Sequence, residues 1–299
     1  MKLYFRDVCG SSCAQWFPHP RENVPHSPLW QAVFFRKGLA FFAFGFYRYM
    51  GRIIAIANQK GGVGKTTTAV NTAAALALAG RRVLLCDFDP QANATSGLGI
   101  EKTTLSRSVY DGLTGGVSAQ ELILRTRFCD VLPSSIALAG AEIELVDFPA
   151  REHALKRLLT PVSFSYDFIL IDCPPSLGLL TLNALCAADT VLAPIQCEYY
   201  ALEGLSQLMQ TIRSVKRSLN PSLTLEGILL TMFDSRTNLS QQVVHEVKKH
   251  FPRQVFPVVI PRNVRLSEAP SHGVPVMYYD RSSKGAKCYE RLAECIIQN

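Results

Sequence analysis

The chain has 299 residues, 48% hydrophobic and 18% charged, a length that suits one large α/β domain or two small ones and a composition that excludes wholesale disorder. Its net charge of +7 is uneven: six Lys/Arg face two Asp/Glu over residues 1–49, 12 face 15 over 50–210, and 13 face 7 over 211–299, so the final third either meets a polyanion or is an ordinary solvated surface. Nine cysteines, seven of them scattered after residue 50 without a C-x-x-C pair, and six histidines never at ligand spacing with them exclude a disulfide framework and argue against zinc, which fits a reducing cytosol.

Residues 1–49 differ in composition from the rest of the chain. They hold 13 of the 28 Phe, Trp and Tyr, including Trp16 and Trp30. The uncharged stretch Gly38 to Tyr47 has ten residues, against the ~20 that a spanning helix needs. Arg36 and Lys37 precede it, but no small-residue cleavage site follows. Three readings stay open: translated upstream sequence with Met50 as the start, a disordered or loosely packed extension, and a membrane-surface anchor. Intact mass of the native protein separates the first from the others. The expected organisation is therefore an N-terminal extension over 1–49 and one domain over 50–299.

Arg52 to Asn58 is a short apolar run rich in β-branched residues, the pattern of a buried parallel strand. Gln59-Lys60-Gly61-Gly62-Val63-Gly64-Lys65-Thr66-Thr67-Thr68 follows, and Thr66 to Ala79 reads as a helix closed by Gly80. Strand, glycine loop and helix form the context of a phosphate-binding loop. Side chains are absent at Gly61, Gly62 and Gly64 so that backbone N–H groups can wrap a β-phosphate, and the helix N-terminus adds partial positive charge. Lys65 is placed to reach β/γ oxygens, and the Thr66 hydroxyl to ligate Mg²⁺. Residues Lys60 to Thr67 are the expected ATP contacts.

The common form of this loop has glycine at position 59; here Gln59 stands there, and Lys60 adds a second lysine. This K-G-G-x-G-K-T string resembles the deviant Walker A signature of the ParA/MinD class of P-loop ATPases, which includes nitrogenase iron protein and arsenite-pump ATPases. Two further segments fit that class. Arg82 to Gln91 reads as a buried strand ending in Asp87-Phe88-Asp89-Pro90-Gln91, where loop phosphates should lie. The resemblance implies that Asp89 positions or activates the attacking water and that Asp87 acts near Mg²⁺ and Lys65. Tyr166 to Pro175 supplies four apolar residues followed by Asp172, similar to a Walker B strand whose carboxylate holds Mg²⁺ through water. In the class, the residue matching Lys60 reaches across a dimer interface to the partner's ATP, so catalytic roles fall to Lys60, Lys65 and Asp89.

Strand-like and helical segments keep alternating: strands at 190–196, 226–232 and 255–260, helices at 200–218, about 239–250 and 284–297. The pattern predicts an α/β fold with a doubly wound, mainly parallel sheet and helices on both faces. Met232 to Leu239, Ile260 to Pro270 and Tyr279 to Ala286 resemble segments of ParA/Soj partitioning ATPases, and the likeness covers about residues 51–298. It implies that Arg236 and Arg265 bind DNA without sequence preference once an ATP-bound homodimer sets two basic patches side by side, with Lys248, Lys249, Arg253 and Arg262 able to extend them. It places Pro261 and Asn263 near the adenine. It also implies a ParB-like centromere-binding partner that stimulates hydrolysis, and a cytoplasmic, nucleoid-associated protein without stable membrane association. The alternative, a MinD-like membrane-associated positioning ATPase, calls for a C-terminal amphipathic membrane helix, whereas the segment 288–299 reads as a core helix without a basic tail. An iron–sulfur reductase calls for cluster cysteines; Cys173 lacks a second one at family spacing and reads as packing.

Overall fold

A computed structural model describes residues 50–299; the readings of residues 1–49 lie outside the described residues. Eight strands form: β1 Arg52–Ile56, β2 Val83–Asp87, β3 Leu124–Arg125, β4 Asp130–Leu132, β5 Phe168–Asp172, β6 Thr190–Gln196, β7 Thr224–Phe233 and β8 Val255–Pro261. They lie in the order β3-β4-β2-β5-β1-β6-β7-β8, parallel except for the antiparallel β3–β4 pair. The central strands are apolar on both faces, as a parallel sheet covered by helices requires. Alternation sorts their side chains: Ile53, Ala55, Leu84, Cys86, Ile169 and Ile171 enter one core, whereas Ile54, Ile56, Leu85 and Leu170 enter the other.

The principal helices are α1 Lys65–Leu78, α2 Leu138–Glu144, α3 Leu179–Ala187, α4 Ala201–Ser218, α5 Asn238–His250 and α6 Lys284–Gln298. The first core takes in Leu138, Leu155, Leu180, Leu208 and Ile212; the second joins α1 to α6 through Ala69, Ala73, Leu76, Tyr289, Leu292 and Ile296. A smaller cluster packs α4 and α5 against β6 and β7 through Leu205, Ile228, Leu230, Val243 and Val247. The doubly wound, mainly parallel architecture expected from the sequence is present. The apolar side of α6 is buried in the core, as read for the C-terminal segment, and among the described residues no helix is long and apolar enough to cross a membrane. Between residues 98 and 165, a stretch for which the sequence pattern predicts no element, lie β3, β4, α2 and several short helices.

Candidate nucleotide site

Parallel pairing sets the site. Ile56 pairs with Asp172 and Asp87 pairs with Asp172, so the glycine loop after β1 and the carboxylates ending β2 and β5 meet at the carboxyl ends of the strands, where ligands bind in such sheets. The loop is held from below: Asn58 Nδ2 donates to the Pro194 carbonyl at 2.7 Å, its Oδ1 accepts from Lys60 N at 3.0 Å, and Thr231 Oγ1 donates to the Val63 carbonyl at 2.8 Å. Gly62 and Gly64 take left-handed φ of +74° and +88°, and no atom lies within 4 Å of where a Cβ on Gly62 would sit. A side chain would strain both positions. Gly64 caps α1 without any side-chain partner for the first-turn N–H groups, which leaves those donors facing the loop.

Lys65 is buried, and its Nζ donates to the Lys60 carbonyl at 3.2 Å. Burial lowers its pKa, while Asp172, Cys173 and Asp89 pull the other way. Asp172 is fully buried, and neither carboxylate oxygen completes a hydrogen bond within the chain. Burial, then the negative charge of Asp87, raises its pKa well above the carboxylate range, against the pull of the Thr66 hydroxyl and Lys65. A buried carboxylate without donors is costly in isolation, and a magnesium ion with its water is the kind of partner that offsets this. Mg²⁺ is held through one or two carboxylates plus phosphate, which matches Thr66 and Asp172 beneath the glycine cradle.

Asp87 is differently placed. Its Oδ2 accepts from Thr95 N and Thr95 Oγ1, both at 2.7 Å, and its Oδ1 accepts from Asp89 N at 3.3 Å. Burial lifts its pKa to about 6 against those bonds. It therefore braces the turn that carries Asp89, whose Oδ1 in turn accepts from Gln91 N at 2.9 Å. Ala92, closing the turn, has a left-handed φ of +52°. Cys173 is buried, and burial with the charge of Asp172 drives its thiol pKa up, so it packs as a small apolar group.

A cavity of about 410 Å³ adjoins the loop, lined by Gly64, Thr67, Met232, Arg236, Pro261 and Asn263 among others. It thus brings the expected adenine residues to the loop, and it adds Met232, whose φ of +51° is strained for a non-glycine residue. A larger cavity, about 540 Å³, lies at the opposite end of the sheet among Arg82, Arg125, Asp130 and Tyr166. It holds neither the glycine loop nor the carboxylates at the carboxyl ends of β2 and β5, so the chemistry belongs to the smaller one. Arg236 is exposed and bonds Asp234 at 2.7 and 2.9 Å; Arg265 bonds Glu268 at 2.7 Å and lies 3.3 Å from Asp280. Lys60 has a partner in its own subunit, Glu198 Oε2 at 3.4 Å, and the other Glu198 oxygen faces Arg262 at 3.5 Å and accepts from Gln196. Thr231, Asn58 and Glu198 escaped the sequence reading. Their roles depend on neighbouring strands, and only the Asn58-to-Lys60 spacing carries a local signal, an Asx turn.

The family model described as AAA domain matches residues 51–225. Sporulation initiation inhibitor protein Soj of Bacillus subtilis (strain 168) is 60% identical over 252 residues, covering 84% of this chain and 100% of that protein. Chromosome partitioning protein ParA of Myxococcus xanthus (strain DK1622) is 60% identical over 251 residues, covering 83% and 89%. Among solved structures, cobyrinic acid a,c-diamide synthase from Mycobacterium smegmatis with bound ATP analog and magnesium is similar with a TM-score of 0.72 at 42% identity, covering 83% of this chain and 95% of that one. With identity this high over nearly the whole described chain, and with the glycine loop and strand-end carboxylates in place, the protein belongs to the ParA/Soj family of chromosome-partitioning ATPases.

Proposed function

We propose that the chain is a Mg²⁺-dependent ATPase that partitions DNA, binding DNA as an ATP-closed homodimer and letting go after hydrolysis. The fully buried carboxylate of Asp172 beneath the glycine loop, which completes no hydrogen bond of ordinary geometry and has the Thr66 hydroxyl and Lys65 as its favourable neighbours, carries this reading. Lys60 to Thr67 would cradle the phosphates, with Pro261 and Asn263 beside the base. Thr66 and Asp172 would hold Mg²⁺, which supplies neutralisation of charge at the β- and γ-phosphates. Lys65 binds β/γ oxygens. Asp89, at the end of the turn braced by Asp87, orients the water that attacks the γ-phosphorus as the bond to the bridging oxygen breaks, releasing ADP and phosphate. Lys60 leaves Glu198 and neutralises charge on the partner subunit's nucleotide, as an arginine finger does elsewhere.

Pairing two subunits doubles the arginines that can meet phosphates, and affinity that sums over charges then becomes a switch. Arg236 and Arg265 are assigned to that contact, with a ParB-like centromere-binding protein as the partner that speeds hydrolysis at the cargo. Residues 1–49 are assigned to an extension outside this machinery. The test is DNA binding with ATP, with ADP and without nucleotide at two salt concentrations. Binding confined to the ATP state and weakened by salt supports the cycle; equal binding in all three states breaks it.

A further inference from the structure

Helix α2 is apolar on two opposite stripes. Leu138, Ala141 and Leu145 are buried in the first core. Ile136, Ala139, Ile143 and Val146 recur at spacings of three, four and three, which puts them on one side of the helical run. They face solvent: Ile143 is 78% exposed, Ile136 73%, Val146 52%, and Phe148 just beyond is 41% exposed. A helix that covers itself with water on its outer side is expected to be polar there. Among the described residues four of the thirteen exposed large hydrophobics fall in these 13 positions, and an apolar cluster of that kind marks an interaction site. The flanks are acidic, with Glu144, which accepts a hydrogen bond from the Tyr110 hydroxyl at 2.7 Å, and Asp147, and no lysine or arginine lies between Arg127 and Arg151, on a chain whose net charge is +7.

From this ridge we infer a docking surface for a basic amphipathic segment of another protein, which regulates the nucleotide site; the inference rests on the partitioning reading and names where its regulatory partner sits. Charge complementarity selects the occupant. A second copy meeting this ridge across a two-fold axis sets the same acids against each other, whereas a segment with lysines or arginines beside an apolar stripe satisfies both features. The ridge is also tied to the chemistry. Glu142, on α2, accepts a hydrogen bond at 3.2 Å from the backbone N of Leu180, at the start of α3, on the chain that leaves Asp172. It sits so tightly that a Cβ on Gly178 would fall 2.3 Å from its Oε1. A segment that pulls on α2 therefore moves the chain between Asp172 and α3. Glu142 is a positioning residue in this scheme.

The experiment uses the full chain and, as the probe, the ParB-like centromere-binding protein of the same cell, measuring its affinity, basal and stimulated ATP turnover, and ATP-dependent DNA binding. Ile143→Asp with Val146→Asp, and separately Glu144→Lys with Asp147→Lys, are expected to weaken probe binding about ten-fold or more and to abolish stimulation. Basal turnover and DNA binding stay at wild-type levels in both, which shows that the chain is folded. Glu142→Gln is expected to keep probe affinity and lose stimulated turnover, a split that a merely structural role does not produce. Wild-type probe affinity in both ridge variants overturns the docking surface while the partitioning reading stands. A change in self-association instead of probe affinity also overturns it, by making the ridge a self-interface. Failure of the wild-type chain to bind the probe overturns the docking surface too, and loss of the ATP dependence of DNA binding in that chain overturns the partitioning reading itself.

Discussion

At the scale of single residues, the loop depends on groups that sequence inspection passes over. Thr231 is buried and its hydroxyl satisfies the Val63 carbonyl from β7. Thr231→Val keeps the shape and strands that carbonyl, at a cost of about 1–3 kcal/mol; denaturant unfolding should show this loss, and nucleotide affinity should weaken with it. Lys60 makes a different demand. It is half-buried and weakly paired with Glu198 at 3.4 Å, a contact worth little to stability, so Lys60→Ala should leave unfolding nearly unchanged, while ATP turnover, followed by phosphate release, falls to background. Wild-type turnover in that variant would remove the cross-subunit role. Asp87 supplies a pH test. Its folded-state pKa, about 6, lies above the usual carboxylate value near 3.9, so the folded chain keeps a proton there that the unfolded chain has released. That contribution to folding is present at low pH and is lost as pH rises through about 6. Without nucleotide, the stability of the wild type relative to Asp87→Asn should therefore fall between about pH 4 and 7 when thermal unfolding is compared across that range.

At the scale of elements, α1 carries the phosphate loop at its start and is clamped by α6 along its length. Tyr289 of α6 is 1% exposed, and its hydroxyl lies 3.3 Å from Thr68 Oγ1, one turn into α1. Tyr289→Ala should cost about 3–5 kcal/mol through the cavity it leaves, whereas Tyr289→Phe should cost only about 1 kcal/mol; calorimetry distinguishes the two, and the larger loss should carry nucleotide affinity down with it. This clamp explains what the sequence made legible. The strands of the sheet centre and the long helices show plain periodicities because each buries one or both faces, and β6 was bounded at Thr190 and Gln196 as found. The glycine loop was legible because phosphate binding dictates residue types at fixed spacing, whereas Asp89 and Asp172 stood out through the apolar strands they follow or end and through resemblance to the ParA/MinD class. The stretch 98–165 was opaque for a physical reason: β3 has two residues, β4 three, and the helices there three to seven, too short for a period to declare itself. Met232 was equally hidden, since nothing in a β-rich run signals a left-handed φ held by its surroundings.

At the scale of the whole molecule, the proposed grip on DNA in one nucleotide state has to be reconciled with a modest net charge of +7. Arg236 and Arg265 are both engaged by carboxylates of their own subunit, Asp234, Glu268 and Asp280. On the proposed reading each would exchange that partner for a phosphate, so a single subunit would gain little and the paired arginines of two subunits would be needed before the polyanion wins. Counterion release turns this into a number. Each phosphate neutralised on duplex DNA contributes about 0.9 to the slope of log affinity against log salt. Removing both arginines deletes four contacts if the binding unit is a dimer and two if it is a monomer. Arg236→Ala with Arg265→Ala should therefore flatten the slope in the ATP state by about 3.6 for a dimer and by about 1.8 for a monomer. Titrations at several salt concentrations with a duplex of arbitrary sequence read the difference directly. A slope unchanged by the double substitution would mean that these arginines stay with their carboxylates and that the contact lies elsewhere on the basic final third. A slope reduced by the larger amount ties the ATP-dependent pairing of subunits to the grip on DNA in a single measurement.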